Sequence, residues 1–230
     1  MTQISEKRNN LAFAILVGGR SSRFGTDKGL YPLFGKPIIQ HQLEIIYSFK
    51  KDIFINAHSN DQIMNYKSIL TNSDQLNFIL DQNKISPNNN IRSPMIGFYS
   101  IFKELLAQNY TKVFTISCDM PLINPEVIKF MIEQSKGYDC CIPIWNNGYL
   151  EPLFAIYRIE KAIEPTYKNI KTKTYKLINI LKDNWKMRYI SIENELALLD
   201  KDLITFVNLN VVNDVKKLET QHRFFYKNKE

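Results

Sequence analysis

The stretch LAFAILVGGRSSRFGTDKGL, residues 11–30, decides how this 230-residue chain is expected to fold. Its first seven residues are apolar, which is typical of a buried parallel strand, and two glycines follow at once. Glycines let the backbone approach an anion, and Arg20, Arg23 and Lys28 then add positive charge. A pair of glycines alone would indicate an ordinary turn with solvated basic residues. The whole stretch instead predicts a first strand that leads into a phosphate-binding loop.

The remaining apolar runs predict an α/β fold with a doubly wound, mostly parallel sheet. Runs rich in β-branched and aromatic residues recur at 52–57, 76–80, 112–118 and 139–144, and the segments between them have helical spacing. We expect the first helix to begin at Pro37 and further helices near 61–71, 95–108 and 125–135. Asparagines and serines at 82–93 predict a long mobile loop.

The pattern changes after residue 145. The turn sequence Asn146-Asn147-Gly148 lies between two strand-like runs, 139–144 and 149–158, and predicts a β-hairpin. A helix over 159–183, a strand over 187–192 and a closing helix over 211–219 are expected to follow. The polar tail, 221–230, is expected to fray or dock weakly.

Composition narrows the class of protein. The net charge of +7 comes from lysines that are spread along the chain, which favours a small phosphorylated ligand over nucleic acid. No apolar run approaches the roughly 20 residues of a membrane helix, and the polar start does not resemble a signal sequence, so we expect a soluble, cytoplasmic protein that contacts no membrane. Cys118, Cys140 and Cys141 lack metal-ligand spacing and are expected to be reduced core residues.

A second motif, FTISCDMP at residues 114–121, is a buried strand that ends in an aspartate and is stopped by a proline. It would place Asp119 at the carboxyl edge of the sheet, where open α/β sheets bind ligands and where the glycine loop should lie. A carboxylate beside a triphosphate is a suitable Mg²⁺ ligand. The alternative is a cap for the helix that begins after the loop. Together with the glycine loop, the motif favours the metal interpretation.

Gly97 is the third position of interest. Ser93 and Pro94 predict an N-cap and a first helical residue, and Gly97 follows within the first turn. The missing side chain would admit either a ligand or close packing of the helix on the sheet. Both alternatives stay open.

The order Gly-Gly-x-Ser-x-Arg-Phe-Gly-x-Asp-Lys at residues 18–28 resembles the molybdenum cofactor guanylyltransferase family. The segments 117–122 and 206–210 resemble the same family and occur in the same order. The resemblance implies a Rossmann-like nucleotidyltransferase fold with a small C-terminal β-hairpin and helical lobe. It implies one domain over 1–220, with a nucleotide-binding half at about 1–145 and an acceptor-binding half at about 146–220.

The resemblance also implies a reaction: transfer of GMP from GTP to the terminal phosphate of molybdopterin, with Mg²⁺ as cofactor and release of pyrophosphate. Lys28, Arg23 and Asp119 would be catalytic, with Asp119 and Asn210 contacting the metal. The nucleotide would be bound by Leu16, Val17, Gly18, Gly19, Lys28, Asn56, Asp81, Gly97 and Asp119.

Asp81 is chemically suited to guanine, because a carboxylate can accept from both the ring N–H and the exocyclic amine. Asn56 could equally be a turn residue at a strand end. Glu151 and the aromatics Trp145 and Tyr149 resemble the acceptor side, where stacking on a pterin competes with simple hairpin packing.

Several substitutions relative to the family pattern leave open which nucleotide base the protein binds. Val17, Phe24, Ser93 and Met95 replace residues that are common in the family. A cytidylyltransferase that acts on the same or another phosphorylated acceptor is therefore the first alternative, and a non-catalytic nucleotide-binding module is the second. Beyond GTP and molybdopterin, we expect molybdoenzymes or their chaperones as partners, no nucleic acid, and a monomer.

Overall fold

A seven-stranded sheet forms the centre of the molecule. The computed structural model describes residues 11–17, 24–86 and 93–226, with side chains up to residue 221. In this part of the chain the strands are β1 (Leu11–Leu16), β2 (Pro32–Leu33), β3 (Lys36–Pro37), β4 (Ile53–Ala57), β5 (Leu76–Leu80), β6 (Lys112–Ser117), β7 (Cys140–Ile144), β8 (Phe154–Arg158) and β9 (Met187–Ser191). The sheet has the order β5-β4-β1-β6-β8-β7-β9, and β2 and β3 form a separate small hairpin.

Helices cover both faces of the sheet. They are α1 (Ile38–Ile46), α2 (Asn60–Ile69), α3 (Pro94–Ala107), α4 (Pro125–Gln134), α5 (Ile159–Lys171) and α6 (Val212–Tyr226). Buried apolar residues form one large cluster on each face, and the neighbours Cys140 and Cys141 belong to different clusters because successive strand residues point to opposite faces. Both are buried free thiols, as is Cys118. These observations confirm the doubly wound α/β fold and the predicted core cysteines.

The strand order creates a switch point beside β1. The chain leaves β1 for β4 and β5 on one side, and then returns through α3 to β6 on the other side. All these pairings are parallel, so the strands end at the same edge, with Leu16 opposite both Asn56 and Ser117. Ligands of open α/β sheets bind at this position, outside the carboxyl ends of the strands.

The predicted hairpin is present, but its strands are part of the central sheet. β8 lies between β6 and β7 and is antiparallel to both. Four of its five residues are buried, so the strand needs a neighbour on each side rather than an exposed position in an appended lobe. The sheet is therefore mostly parallel with one antiparallel strand.

Five sequence-based boundaries differ from the structure, one of them the second hairpin strand, which was expected over 149–158 and is observed as β8 only from Phe154. Pro37 belongs to β3 and caps α1 instead of starting it, because it pairs with Pro32 across the small hairpin. The helix expected over 159–183 ends at Lys171, since Lys173 adopts a left-handed conformation with φ of 58°. The final helix α6 continues to Tyr226, well into the segment expected to fray. In the segment 82–93, residues 83–85 form one short helical turn, and 87–92 are outside the described residues.

No helix in the described ranges is long and apolar enough to cross a membrane.

Candidate functional site

Lys28 and Asp119 meet at the switch point. The Lys28 Nζ atom lies 3.2 Å from Asp119 Oδ2, and about one fifth of each side chain is exposed. Asp119 follows β6 by two residues, and the amide of its neighbour Cys118 donates to the carbonyl of Leu16 at the end of β1. Two motifs separated by 91 residues in sequence are thus joined by one ion pair.

The turn that carries Asp119 is held by a buried glutamine. Gln42 of α1 is fully buried, and its Nε2 donates to the carbonyls of Ser117 and Met120 at 2.7 Å each. These carbonyls lie on either side of Asp119, so the glutamine fixes the backbone from which the carboxylate projects. Leu209 also holds this turn, because its amide donates to the Asp119 carbonyl at 2.9 Å.

The Asp119 carboxylate fits a hard cation. Its Oδ1 is buried and has no hydrogen-bond partner within the described part of the chain, which is costly for a carboxylate oxygen unless a ligand supplies the missing contact. Among the described residues, no group of three or more histidine, cysteine or acidic side chains is arranged so that it could hold a metal ion. Mg²⁺ at Asp119 would therefore take most of its other ligands from water and phosphate oxygens, which is usual for this ion.

The helix-cap alternative for this motif is excluded by the geometry. The cap of α4 is Asn124, whose side chain accepts from the amide of Glu126, so Asp119 is not the helix cap. Burial raises the pKa of the adjacent Cys118 thiol, which stays protonated and is a poor metal ligand or nucleophile at neutral pH.

A second group of predicted residues lies on the other side of β1. The Nδ2 atom of Asn56, at the end of β4, donates to Asp81 Oδ1 at 3.0 Å, just after β5. A Cβ atom added to Gly97 of α3 would lie 2.5 Å from Asn56 Oδ1 and 3.1 Å from Leu16 Cδ2. The structure thus brings Leu16, Asn56, Asp81 and Gly97 together. It shows close packing at Gly97, and a nucleotide contact there stays a prediction.

The residues of the hairpin between β7 and β8 lie near Asp119, whose charge acts on Glu151. Trp145 Nε1 donates to Glu151 Oε1 at 2.7 Å, and the indole packs edge-on against Phe206. Burial raises the pKa of Glu151, the hydrogen bond from Trp145 opposes this shift, and the negative charge of Asp119 adds to it. The packing alternative is thus observed for Trp145. Tyr149 is instead 73% exposed.

The remaining predicted residues are less informative. Gly18, Gly19 and Arg23 lie outside the described residues. Val17 is buried, and its amide donates to the carbonyl of Asn56. Asn210 is exposed and follows Leu209, which binds the Asp119 backbone. Its proposed metal contact is untested by this geometry.

The sequence assigned no role to four residues that build the site. Asp27 accepts from Tyr66 Oη at 2.6 Å and from Gln62 Nε2 at 2.5 Å, both on α2, and Gln42 holds the Asp119 turn as described above. The role of Gln42 could have been predicted from its position in the sequence. It lies three residues after Ile39 and four before Ile46, so it is a polar residue on the apolar face of α1.

Comparison with known proteins identifies the family. Residues 13–183 match the model of the MobA-like NTP transferase domain. Two curated relatives are each named probable molybdenum cofactor guanylyltransferase. The one from Thermococcus sibiricus is 31% identical over 208 residues, which covers 89% of this chain and 95% of the relative. The one from Thermococcus gammatolerans is 33% identical over 208 residues, covering 89% and 97%.

Solved structures are also similar to this chain. Molybdopterin-guanine dinucleotide biosynthesis protein A from Archaeoglobus fulgidus superposes with a TM-score of 0.73 at 26% identity, covering 92% of this chain and 98% of that one. A 4-diphosphocytidyl-2C-methyl-D-erythritol synthase from Anaerococcus prevotii shares the fold alone, with a TM-score of 0.62 at 11% identity over 94% and 99% of the two chains. The motifs, the switch-point geometry and these matches together show that the chain belongs to the family of MobA-like NTP transferase domains.

Proposed function

We propose that this protein transfers the GMP moiety of GTP to the terminal phosphate of molybdopterin and releases pyrophosphate. The observation that carries the proposal is the Lys28–Asp119 ion pair at the switch point, the edge where open α/β sheets bind their ligands. The names of the relatives supply the guanine and the molybdenum cofactor.

The chemistry requires positioning more than a base. The second pKa of a phosphate monoester is about 6, so the acceptor phosphate is largely dianionic at neutral pH and can attack the α-phosphorus directly. A new bond forms between an acceptor oxygen and the α-phosphorus, and the bond to the oxygen that bridges to the β-phosphorus breaks. That oxygen leaves as part of pyrophosphate, and no proton has to be removed from the attacking group.

Each residue of the pair has a role in this displacement. Asp119 would hold Mg²⁺, which supplies neutralisation of phosphate charge when bound. Lys28 would bind the β- and γ-phosphates and stabilise the charge that develops on the leaving pyrophosphate. Arg23 is expected to assist at the same phosphates, and the backbone at Leu16, Val17, Gly18 and Gly19 would lie against the nucleotide.

Asp81 is the residue proposed to select guanine. Asn56 donates to one of its carboxylate oxygens at 3.0 Å, which orients the carboxylate at the end of β5. This carboxylate would accept from the N1–H and the amino group of guanine, two donors that cytosine does not offer in the same arrangement. Asn210 is proposed to add a second metal contact, because Leu209 holds its segment against Asp119.

The test is an assay with purified protein, Mg²⁺, labelled GTP and molybdopterin. The proposal predicts pyrophosphate and a guanylated pterin in equal amounts, and the absence of both products would contradict it. Lys28→Met should lower kcat/KM by at least about tenfold, or roughly 1.4 kcal/mol. Lys36→Met is the matched control, because Lys36 forms a solvated ion pair with Glu44 at 2.8 Å and should be dispensable. A Lys28→Met enzyme of full activity would instead show that this lysine is dispensable for the reaction.

A further inference from the structure

Helix α2 presents two buried polar residues to the end of β1. Gln62 and Tyr66 are 6% and 0% exposed, whereas the apolar Met64 and Ile69 on the same helix are 68% and 53% exposed. Gln62 and Tyr66 are four positions apart, so they lie on one face of the helix. The ring of Tyr66 packs in the apolar core, so its hydroxyl and the Gln62 amide are the buried polar groups of this helix that require hydrogen-bond partners.

Gln62 joins the two ends of the glycine-rich segment. Its Nε2 donates to the carbonyl of Val17 at 3.2 Å and to Asp27 Oδ2 at 2.5 Å, and its Oε1 accepts from the amide of His58 at 2.9 Å. Val17 comes directly before Gly18, and Asp27 comes directly before Lys28. One side chain therefore sets the distance between the point where the segment begins and the point where it ends.

Tyr66 holds the other oxygen of the same carboxylate. Its hydroxyl donates to Asp27 Oδ1 at 2.6 Å, and this oxygen also accepts from the amide of Gly29 at 3.0 Å. Burial raises the pKa of Tyr66 well above its ordinary value, so the hydroxyl keeps its proton and remains a donor. Asp27 thus receives three hydrogen bonds within the protein, which makes it an anchor for the turn rather than a second metal ligand beside Asp119.

Gly29 shows how closely the turn fits this network. A Cβ atom at residue 29 would lie 2.2 Å from Tyr66 Oη and 3.2 Å from Tyr66 Cζ. The backbone φ of Gly29 is not in the left-handed region, so the lack of a side chain is explained by the tyrosine hydroxyl and not by conformation. Residues 28–30 form a short helical turn that Asp27 caps, and the direction of Lys28 follows from that turn.

We propose that Gln62 and Tyr66 are positioning residues which, through Asp27, hold Lys28 opposite Asp119 and so determine its contact with the triphosphate of the nucleotide. This inference rests on the proposed nucleotidyl transfer, but not on which base or acceptor is used. Neither residue is expected to touch the substrate.

A double-mutant cycle tests the inference. The affinity for Mg·GTP, measured by calorimetry, and kcat/KM should each fall by about tenfold in Tyr66→Phe and in Lys28→Met. The double variant should be within about twofold of Lys28→Met alone, because the tyrosine acts through the lysine. Losses that multiply to about a hundredfold would assign Tyr66 a separate structural role and overturn the inference.

The control is Tyr110→Phe. Tyr110 donates to Asp52 Oδ2 at 2.6 Å, the same kind of bond at the opposite edge of the sheet, and its loss should leave affinity and turnover unchanged. If the wild-type protein binds Mg·CTP in place of Mg·GTP, the proposed function fails, and the cycle is measured with CTP instead. Failure of the inference and failure of the proposed function are therefore separate results.

A rescue experiment gives an independent answer. Gly29→Ala should lower nucleotide affinity below that of Tyr66→Phe, because the new methyl group meets the hydroxyl. Combining it with Tyr66→Phe removes the hydroxyl and should restore affinity to about the level of Tyr66→Phe alone. A double variant that stays as weak as Gly29→Ala would contradict the proposed geometry.

Discussion

Replacing Asp119 with asparagine removes a charge while keeping the size of the side chain. In the protein without ligand, two effects on the free energy of unfolding oppose each other. The ion pair with Lys28, 3.2 Å long and one fifth exposed, is worth about 1 kcal/mol and is lost. The buried Oδ1 has no partner among the described residues, so the charged carboxylate is costly there, and asparagine removes the charge but still leaves one polar atom unpaired. We therefore expect no net loss greater than about 1 kcal/mol.

Catalysis should respond very differently. A neutral amide binds Mg²⁺ poorly, so Asp119→Asn should lower kcat/KM by at least about a hundredfold, which corresponds to roughly 2.7 kcal/mol. The midpoint of thermal unfolding should fall by no more than about 2–4 °C for a domain of this size. Pyrophosphate release and thermal denaturation, both with and without Mg·GTP, measure the two effects on the same preparation.

Two results would refute this reasoning. Turnover within about threefold of wild type would show that the carboxylate is dispensable. A loss of more than about 3 kcal/mol without ligand would show that Asp119 is primarily a structural residue. Asp52→Asn is the matched control, because this carboxylate also accepts one hydrogen bond but lies at the opposite edge of the sheet, and its activity should be normal.

Three further predictions follow from buried contacts. Gln42→Met removes both hydrogen bonds to the Asp119 turn and should cost about 2–4 kcal/mol of stability in urea unfolding, with a lower kcat. Unchanged stability and kcat would show that Gln42 does not hold this turn. Burial lowers the pKa of His41, so the unfolded chain binds the proton first and stability should decrease as pH falls below about 6.5. His41→Gln should make the melting temperature less dependent on pH between about pH 7 and 5. An identical pH dependence in the variant would show that His41 is not the group responsible. Gly97→Ala should weaken GTP binding in calorimetry, because its Cβ would lie 2.5 Å from Asn56 Oδ1 and displace the side chain that donates to Asp81. Unaltered affinity would argue against Asn56 and Asp81 as the binding site of the base.

The parts of the fold that follow from local pattern were predicted from the sequence. Buried parallel strands are continuous apolar runs, so β1, β4, β5 and β6 were located to within a residue or two. The position of Asp119 at the sheet edge also followed, because parallel strands end on the same side. Its pairing with Lys28 joined two motifs that had been identified separately.

Contacts between distant elements could not be read from local pattern. The place of β8 between β6 and β7 depends on pairing across the whole sheet, and a hairpin signal does not specify it. The roles of Gln62 and Tyr66 depend on the approach of α2 to the turn at Asp27, 35 and 39 residues earlier in the chain. The end of α5 at Lys171 was missed because the helical spacing of apolar residues continues past the left-handed Lys173.

A competition between GTP and CTP tests the central claim most directly. The wild-type protein is incubated with Mg²⁺, molybdopterin and equal concentrations of the two nucleotides, and the nucleotide joined to the pterin is identified by mass spectrometry. We expect guanylated product with pyrophosphate and little cytidylated product. Cytidylated pterin as the main product, or no nucleotide joined to the pterin, would contradict it.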